Sequence, residues 1–247
     1  MRRNAVKSGM AEPTLRARAF RSLAYRGPVR TWRVGAALAR YRLRRGMSAP
    51  RPHAFDLEFG TDTVSLTRGE TVAGATAGNG HEPIDPVDFA QLMAGLDIDP
   101  AQFGRYDFID FGSGQGRALM LAAAYPFARV IGLEYARELH ESAERNLAIW
   151  RARRGQQRAG EVTSLWADAA QWELPARPAV YYFCEPFQEV MMRRMAARVR
   201  AALEAGPRPA YVLYVGDWFR EVWEAPGDFE TLAAHYCDRV YHWNGAR

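Results

Sequence analysis

A chain of 247 residues with 48% hydrophobic and 25% charged side chains has the balance of a soluble globular protein, long enough for one domain and an appendage. No apolar run approaches the ~20 residues that span a bilayer, and the early arginines interrupt any apolar stretch that a secretory signal needs. Two cysteines, Cys184 and Cys237, make neither a disulfide framework nor a metal cluster, so a reducing, cytoplasmic setting is the expectation.

The net charge of +5 conceals a split: residues 1–51 hold fourteen Lys or Arg against one acid, Glu12, and the remainder nets −8. Residues 1–50 therefore read as a basic helical extension. Its helical stretch runs roughly over Thr14–Arg45, broken near Gly27-Pro28, with Leu15, Phe20, Leu23, Trp32 and Leu38 interleaved with arginines. Such an arm suits a polyanion, either nucleic acid or an anionic membrane surface, and equally suits a solvated helix. Residues 51–83 read as a connector in which FDLEFGTDT (Phe55–Thr63) precedes Gly74, Gly78 and Gly80, glycines that keep a chain pliable.

From residue 84 to 247 strand-like and helix-like segments alternate, the pattern of a parallel sheet covered on both faces. Asp85-Pro86 marks a helix start, followed by Phe89, Leu92, Met93 and Leu96 at helical spacing. A first strand, Tyr106–Phe111, leads through a glycine loop into a helix over Arg117–Ala124. The second strand is Val130–Glu134, and a helix over Arg137–Arg153 follows it. Val162–Ala167 and Ala179–Cys184 are the third and fourth strands. A helix through Met191, Met195, Val199 and Leu203 precedes the fifth, Tyr211–Val215, and Phe229–Trp243 supplies the last two.

The strongest chemical signal is Asp110-Phe-Gly112-Ser113-Gly114-Gln-Gly116, which closes a strand and opens a helix. Gly112 allows a sharp turn, while Gly114 and Gly116 let a ligand lie against the backbone. Amides at the helix start favour a negative group: pyrophosphate in a nicotinamide cofactor, the amino-acid carboxylate in S-adenosylmethionine. The G-x-G-x-G spacing behind an acid differs from the dinucleotide G-x-G-x-x-G, and Asp110 repels a pyrophosphate yet suits an ammonium. Glu134 ends the next strand, where an acid accepts from two ribose hydroxyls. Asp168 ends the third strand in WADAAQW, placed to accept from an adenine amine, with Trp166 or Trp172 to cover the ring. Glu185-Pro186-Phe187 follows the fourth strand at the edge of the crevice where open α/β sheets bind ligands. The five histidines, His53, His81, His140, His235 and His242, show no metal-ligand or triad spacing.

DFGSGQGRAL, VIGLE and the DA of WADAA resemble motifs I, II and III of class I S-adenosylmethionine-dependent methyltransferases, over about Phe89–Val215. FDLEFGTDT, ELHESAERNL and the strand ending in x-P-F are similar to an uncharacterised bacterial subgroup, which usually has a tyrosine near His81 and an asparagine at the position of Glu185. The resemblance implies a doubly wound, mostly parallel Rossmann-like sheet of order 3-2-1-4-5-7-6, the last strand antiparallel. It implies S-adenosyl-L-methionine as cofactor, held by Asp110, Gly112, Ser113, Gly114 and Gly116 in the loop, Glu134 at the ribose and Asp168 with Ala169 at the adenine. Glu185, Pro186 and Phe187 would line the acceptor side, with Glu185 orienting or deprotonating the acceptor. The expected activity is methyl transfer to an acceptor such as a protein side chain or small molecule. A binding module without turnover, docked through the basic arm, and a nicotinamide enzyme are the rival expectations.

Overall fold

The computed structural model describes residues 53–64, 83–153, 155–235 and 238–245, together with residues 28, 29, 32, 36 and 39. The chain divides into two compact units, Met1–Pro50 and Arg51–Arg247. In the first, the five described residues are helical and Val29 and Trp32 are exposed. The rest of the expected Thr14–Arg45 stretch, and with it the expected polyanion-binding arm, lies outside the described residues.

In the second unit, near-continuous apolar runs form the inner strands, buried on both faces, while the two edge strands are partly exposed. The strands are β1 (Asp107–Phe111), β2 (Arg129–Glu134), β3 (Glu161–Trp166), β4 (Ala179–Cys184), β5 (Ala210–Val215), β6 (Phe229–His235) and β7 (Asp238–Trp243). They make one sheet of order β3-β2-β1-β4-β5-β7-β6. β7 alone runs antiparallel to its neighbours, as the resemblance implies. The order reverses between β1 and β4, and both strands emerge there with their carboxyl ends adjacent.

Among the described residues, six α-helices flank the strands: α1 (Ala54–Phe59), α2 (Pro86–Ala94), α3 (Arg117–Ala122), α4 (Arg137–Ala152), α5 (Glu189–Ala205) and α6 (Glu221–Glu224). Asp85 caps α2 as its sequence indicates, its carboxylate accepting from the Val87 amide at 2.8 Å, with Pro86 in the first turn. α4 buries Leu139, Ala143, Leu147 and Trp150, and α5 buries Met192, Met195, Val199 and Leu203. Two cores result, one per sheet face. Phe89, Phe108, Leu119, Val130 and Tyr182 belong to the first, and Ile109, Phe111, Leu133, Tyr181, Phe183 and Trp223 to the second.

Strand alternation sorts the chemistry. Phe108 and Asp110 share one face of β1, and the parallel register aligns Asp110 with Gly132 on β2 and Tyr182 on β4. Glu134, two residues beyond Gly132, therefore lies on the same face. The glycine loop folds back over this face. A Cβ on Gly132 would stand 2.6 Å from Leu119 Cδ1 and 2.7 Å from Ser113 Cβ. Gly132→Ala is expected to destabilise the fold by about 1–3 kcal/mol, the usual cost of overpacking, read as a lowered denaturant midpoint at unchanged m-value.

Candidate functional site

Gly112 sits at φ +79, and a Cβ there would come within 2.7 Å of Pro186 Cβ. Only glycine meets both demands, and the contact brings the loop after β1 against the loop after β4. The amides of Gly112 and Ser113 both donate to the Leu133 carbonyl, at 2.9 and 3.0 Å, and the Gly116 amide to the Ser113 carbonyl at 2.9 Å. The Gly114 amide donates to Glu134 Oε2 at 2.8 Å. These four amides are thus engaged inside the protein. The expected cradle for a negative group is largely spent on holding the loop's own shape.

Glu134 is buried, and its other oxygen accepts from the Ala136 amide at 2.8 Å. Burial pushes its carboxyl above the ordinary range, against the opposing pull of these amide bonds and of His140. The Tyr135 amide also bonds this carboxylate, and since a carboxylate offers about four acceptor sites, one remains for a hydroxyl approaching from the strand end.

Asp110 differs. It is 2% exposed, and among the described residues no hydrogen bond or ion pair reaches its carboxyl. Burial, and then the nearby Glu134 charge, hold its carboxyl well above the ordinary carboxylate range. A second buried acid on the same strand shows what a structural partner looks like. Asp107 accepts from Arg129 Nε at 3.1 Å and pairs with its Nη2 as well, at the amino end of the sheet. The Ser113 hydroxyl, buried beside Asp110, also has no partner among the described residues. Natural interiors rarely leave such groups unmatched.

Beyond Glu134, an open cavity of about 460 Å³ is lined by Tyr135, Ala136, Arg137, Trp166 and Asp168, among others. The indole N–H of Trp166 donates to the Tyr135 carbonyl at 2.9 Å, and the Arg137 guanidinium lies 5.3 Å from its ring centre. Trp166 is 58% exposed and stands as a flat wall of the cavity, while Trp172 packs against the second core. Asp168 faces the cavity with both oxygens engaged locally, by the Ala170 amide and Gln171 Nε2, each at 2.8 Å. Ala169 is buried in the second core, and its carbonyl accepts from Arg198 at 2.6 Å. Sequence reasoning missed Tyr135 and Arg137, which only their position after the β2 acid could have signalled.

After β4, Glu185 takes a left-handed backbone at φ 44, and its amide donates to the Val215 carbonyl at 3.2 Å. Its carboxyl folds over Gly216. Glu185, Pro186 and Phe187 are half-buried and share this end of the sheet with exposed Trp218. Burial pushes the Cys184 thiol up to about 12, which keeps it protonated and unreactive at neutral pH.

The sequence reading treats residues 51–83 as a connector, but their described portions pack onto the glycine loop. Gln115 Nε2 and Asn146 Nδ2 donate to the Asp62 carbonyl at 2.9 and 2.8 Å, and the Asp62 amide returns a bond to Asn146 Oδ1 at 3.0 Å. Arg117 Nη2 meets Asp56 Oδ2 at 3.0 Å, both residues buried. No cluster of three metal-ligating side chains occurs among the described residues, nor does a helix long and apolar enough to cross a membrane.

No protein-family model and no curated protein sequence matches the chain. Solved structures do resemble it. An RNA methyltransferase from Salinibacter ruber in complex with S-adenosyl-L-homocysteine is 18% identical, with 66% of this chain and 92% of that one covered and a TM-score of 0.41. Magnesium protoporphyrin IX methyltransferase from Synechocystis PCC 6803 with bound SAM is 16% identical, with coverages of 87% and 93% and a TM-score of 0.42. A SAM-dependent O-methyltransferase from Thermotoga maritima is 14% identical, with 68% of each chain covered and a TM-score of 0.46. Likenesses of this strength assign no ligand or substrate.

Asp110 supplies a test of the geometry. A carboxyl raised in the fold contributes stability that is full below its unfolded value and lost as pH rises through its folded value. Asp110→Asn removes that loss. Its melting temperature is expected to exceed that of the parent by roughly 3 °C at alkaline pH, where ~1 kcal/mol moves a chain of this size by 2–4 °C, and to converge with it in acid.

Proposed function

We propose that the chain is an S-adenosyl-L-methionine-dependent methyltransferase, and the buried carboxyl of Asp110 carries the reading. A buried acid without a protein partner calls for a cationic ligand, and S-adenosylmethionine is cationic where it would lie beside the glycine loop. A pyrophosphate would meet two carboxylates there, Asp110 and Glu134, which argues against a nicotinamide cofactor. The remaining residues fit the same molecule. Asp110 would hold the ammonium, Glu134 the ribose through the one acceptor site its amide bonds leave, and the cavity walled by Trp166 and Tyr135 the adenine. Asp168 would orient the adenine's exocyclic amine while keeping its own turn. Gly112, Ser113, Gly114 and Gly116 would form the floor.

When bound, this cofactor supplies a methyl group on a sulfonium, already activated for in-line displacement by a nucleophile. The chain's own work is then alignment and exclusion of water. Pro186, locked against Gly112, would fix the acceptor-side loop relative to the donor. Phe187 would give the acceptor a flat apolar face. Glu185 would accept a hydrogen bond or a proton from the acceptor atom, in reach of the crevice because its left-handed backbone turns it back over Gly216. The acceptor chemistry is open between a protein side chain and a small molecule.

Calorimetric titration tests the cofactor. S-Adenosylmethionine and its demethylated product are expected to bind and NAD not to; Asp110→Ala and Glu134→Ala each abolish the heat. Binding should grow tighter as pH rises through the folded value of Asp110, with proton uptake by the buffer, because the cation selects the ionised carboxyl. Absence of adenosyl binding by the parent chain would sink the reading.

Glu185 is tested separately. Glu185→Gln and Glu185→Ala are expected to keep cofactor affinity within about twofold. On an acceptor identified by transfer of labelled methyl, the alanine variant should lose roughly 10²-fold in kcat, the low end for a removed acid–base group. Full turnover in both variants would remove Glu185 from the chemistry.

A further inference from the structure

Outside the groups assigned above, one buried ionic network faces the glycine loop. Arg117, the first residue of α3, is 2% exposed and Asp56 is 4% exposed. The guanidinium spends its donors on two separate stretches of chain. Nε donates to Thr63 Oγ1 at 2.8 Å and Nη2 to Asp56 Oδ2 at 3.0 Å. Nη1 reaches the carbonyls of Pro83 and Ile84 at 3.2 and 3.4 Å. Asp56 is itself fixed by hydroxyls, accepting from Thr61 at 2.7 Å and Thr63 at 2.9 Å.

The two carbonyls lead to the site. Pro83 and Ile84 wall a small cavity of about 20 Å³ together with Asp110, Ser113, Arg117 and Tyr182, space for one small polar group. Its polar lining includes the buried Asp110 carboxyl and the Ser113 and Tyr182 hydroxyls, which have no hydrogen-bond partner among the described residues. Resting on the cofactor reading above, we infer that Asp56 and Arg117 are a positioning pair for the amino-acid end of S-adenosylmethionine. Arg117 holds the 83–84 wall opposite Asp110. Asp56 both anchors Arg117 and neutralises it, since a bare guanidinium beside this cavity would repel an ammonium.

The pair acts through the wall it holds, so its loss should be felt by one end of the ligand only. The full chain, Asp56→Asn, and the double variant Asp56→Leu/Arg117→Met are titrated with S-adenosylhomocysteine and with methylthioadenosine, which lacks the amino-acid end. The double variant removes both charges together, a change that buried pairs often tolerate, and methylthioadenosine binding reports that each chain is folded. The parent is expected to bind both ligands. Each variant should lose about tenfold to hundredfold for S-adenosylhomocysteine, the scale of hydrogen bonds to charged groups, and stay within about twofold for methylthioadenosine. Equal losses for both ligands would show a purely structural pair and overturn the inference, as would unchanged affinity for S-adenosylhomocysteine. A parent chain that binds neither ligand overturns the cofactor reading itself, an outcome distinct from either.

Discussion

A guanidinium buried in the first turn of a helix is opposed by desolvation and by the positive end of the helix, and it persists only where a carboxylate and further acceptors surround it. Arg117 meets that condition with Asp56, Thr63 and two backbone carbonyls. The requirement reaches well beyond one ion pair. It fixes α1 against the glycine loop, and it fixes the chain entering α2. Gln115 and Asn146 fasten Asp62 on the other side, so the loop after β1 is gripped from above as well as rooted in the sheet below.

The two ends of β1 make opposite use of the same residue type. At the amino end Asp107 is wholly buried and met by Arg129 from the neighbouring strand. At the carboxyl end Asp110 is as deeply buried, yet its face holds Glu134 instead of a base. Paired acids at one edge and acids alone at the other give the sheet a polarity that hydrophobic packing would not produce. The register explains it: Asp107 aligns with Arg129, while Asp110 aligns with Gly132 and Tyr182, which bring no charge.

Much of this was legible in the residues. The inner strands were visible because strands buried on both faces must be apolar almost throughout. The half-exposed β6 and its turn into β7 were legible only as one segment. The acid–glycine loop announced itself by lying between an inner strand and a helix. Side chains at strand ends were harder. Asp168 and Ala169 are neighbours in sequence, but one faces the cavity and the other the core, and Trp166 and Trp172 divide the same way. The grip on the loop was least legible. Asp56, Thr61 and Thr63 look like solvated loop residues, and their burial depends on an arginine 61 positions away from the aspartate. As a sequence, FDLEFGTDT carries no mechanism of its own. Arg117, a charge at the start of an otherwise apolar helix, was the signal that could have joined the two.

The backbone of Glu185 bears on how this position can vary over evolutionary time. At φ 44 a side chain with a Cβ costs about 1–2 kcal/mol relative to right-handed geometry, and asparagine is the non-glycine residue that bears it best. The asparagine usual in the similar bacterial subgroup is thus what conformation alone would select. A glutamate there is held against a conformational gradient, so drift would tend to erode it. A backbone-relaxing residue at this position would stabilise the loop after β4 only by giving up the carboxylate, so the two properties are traded against each other here.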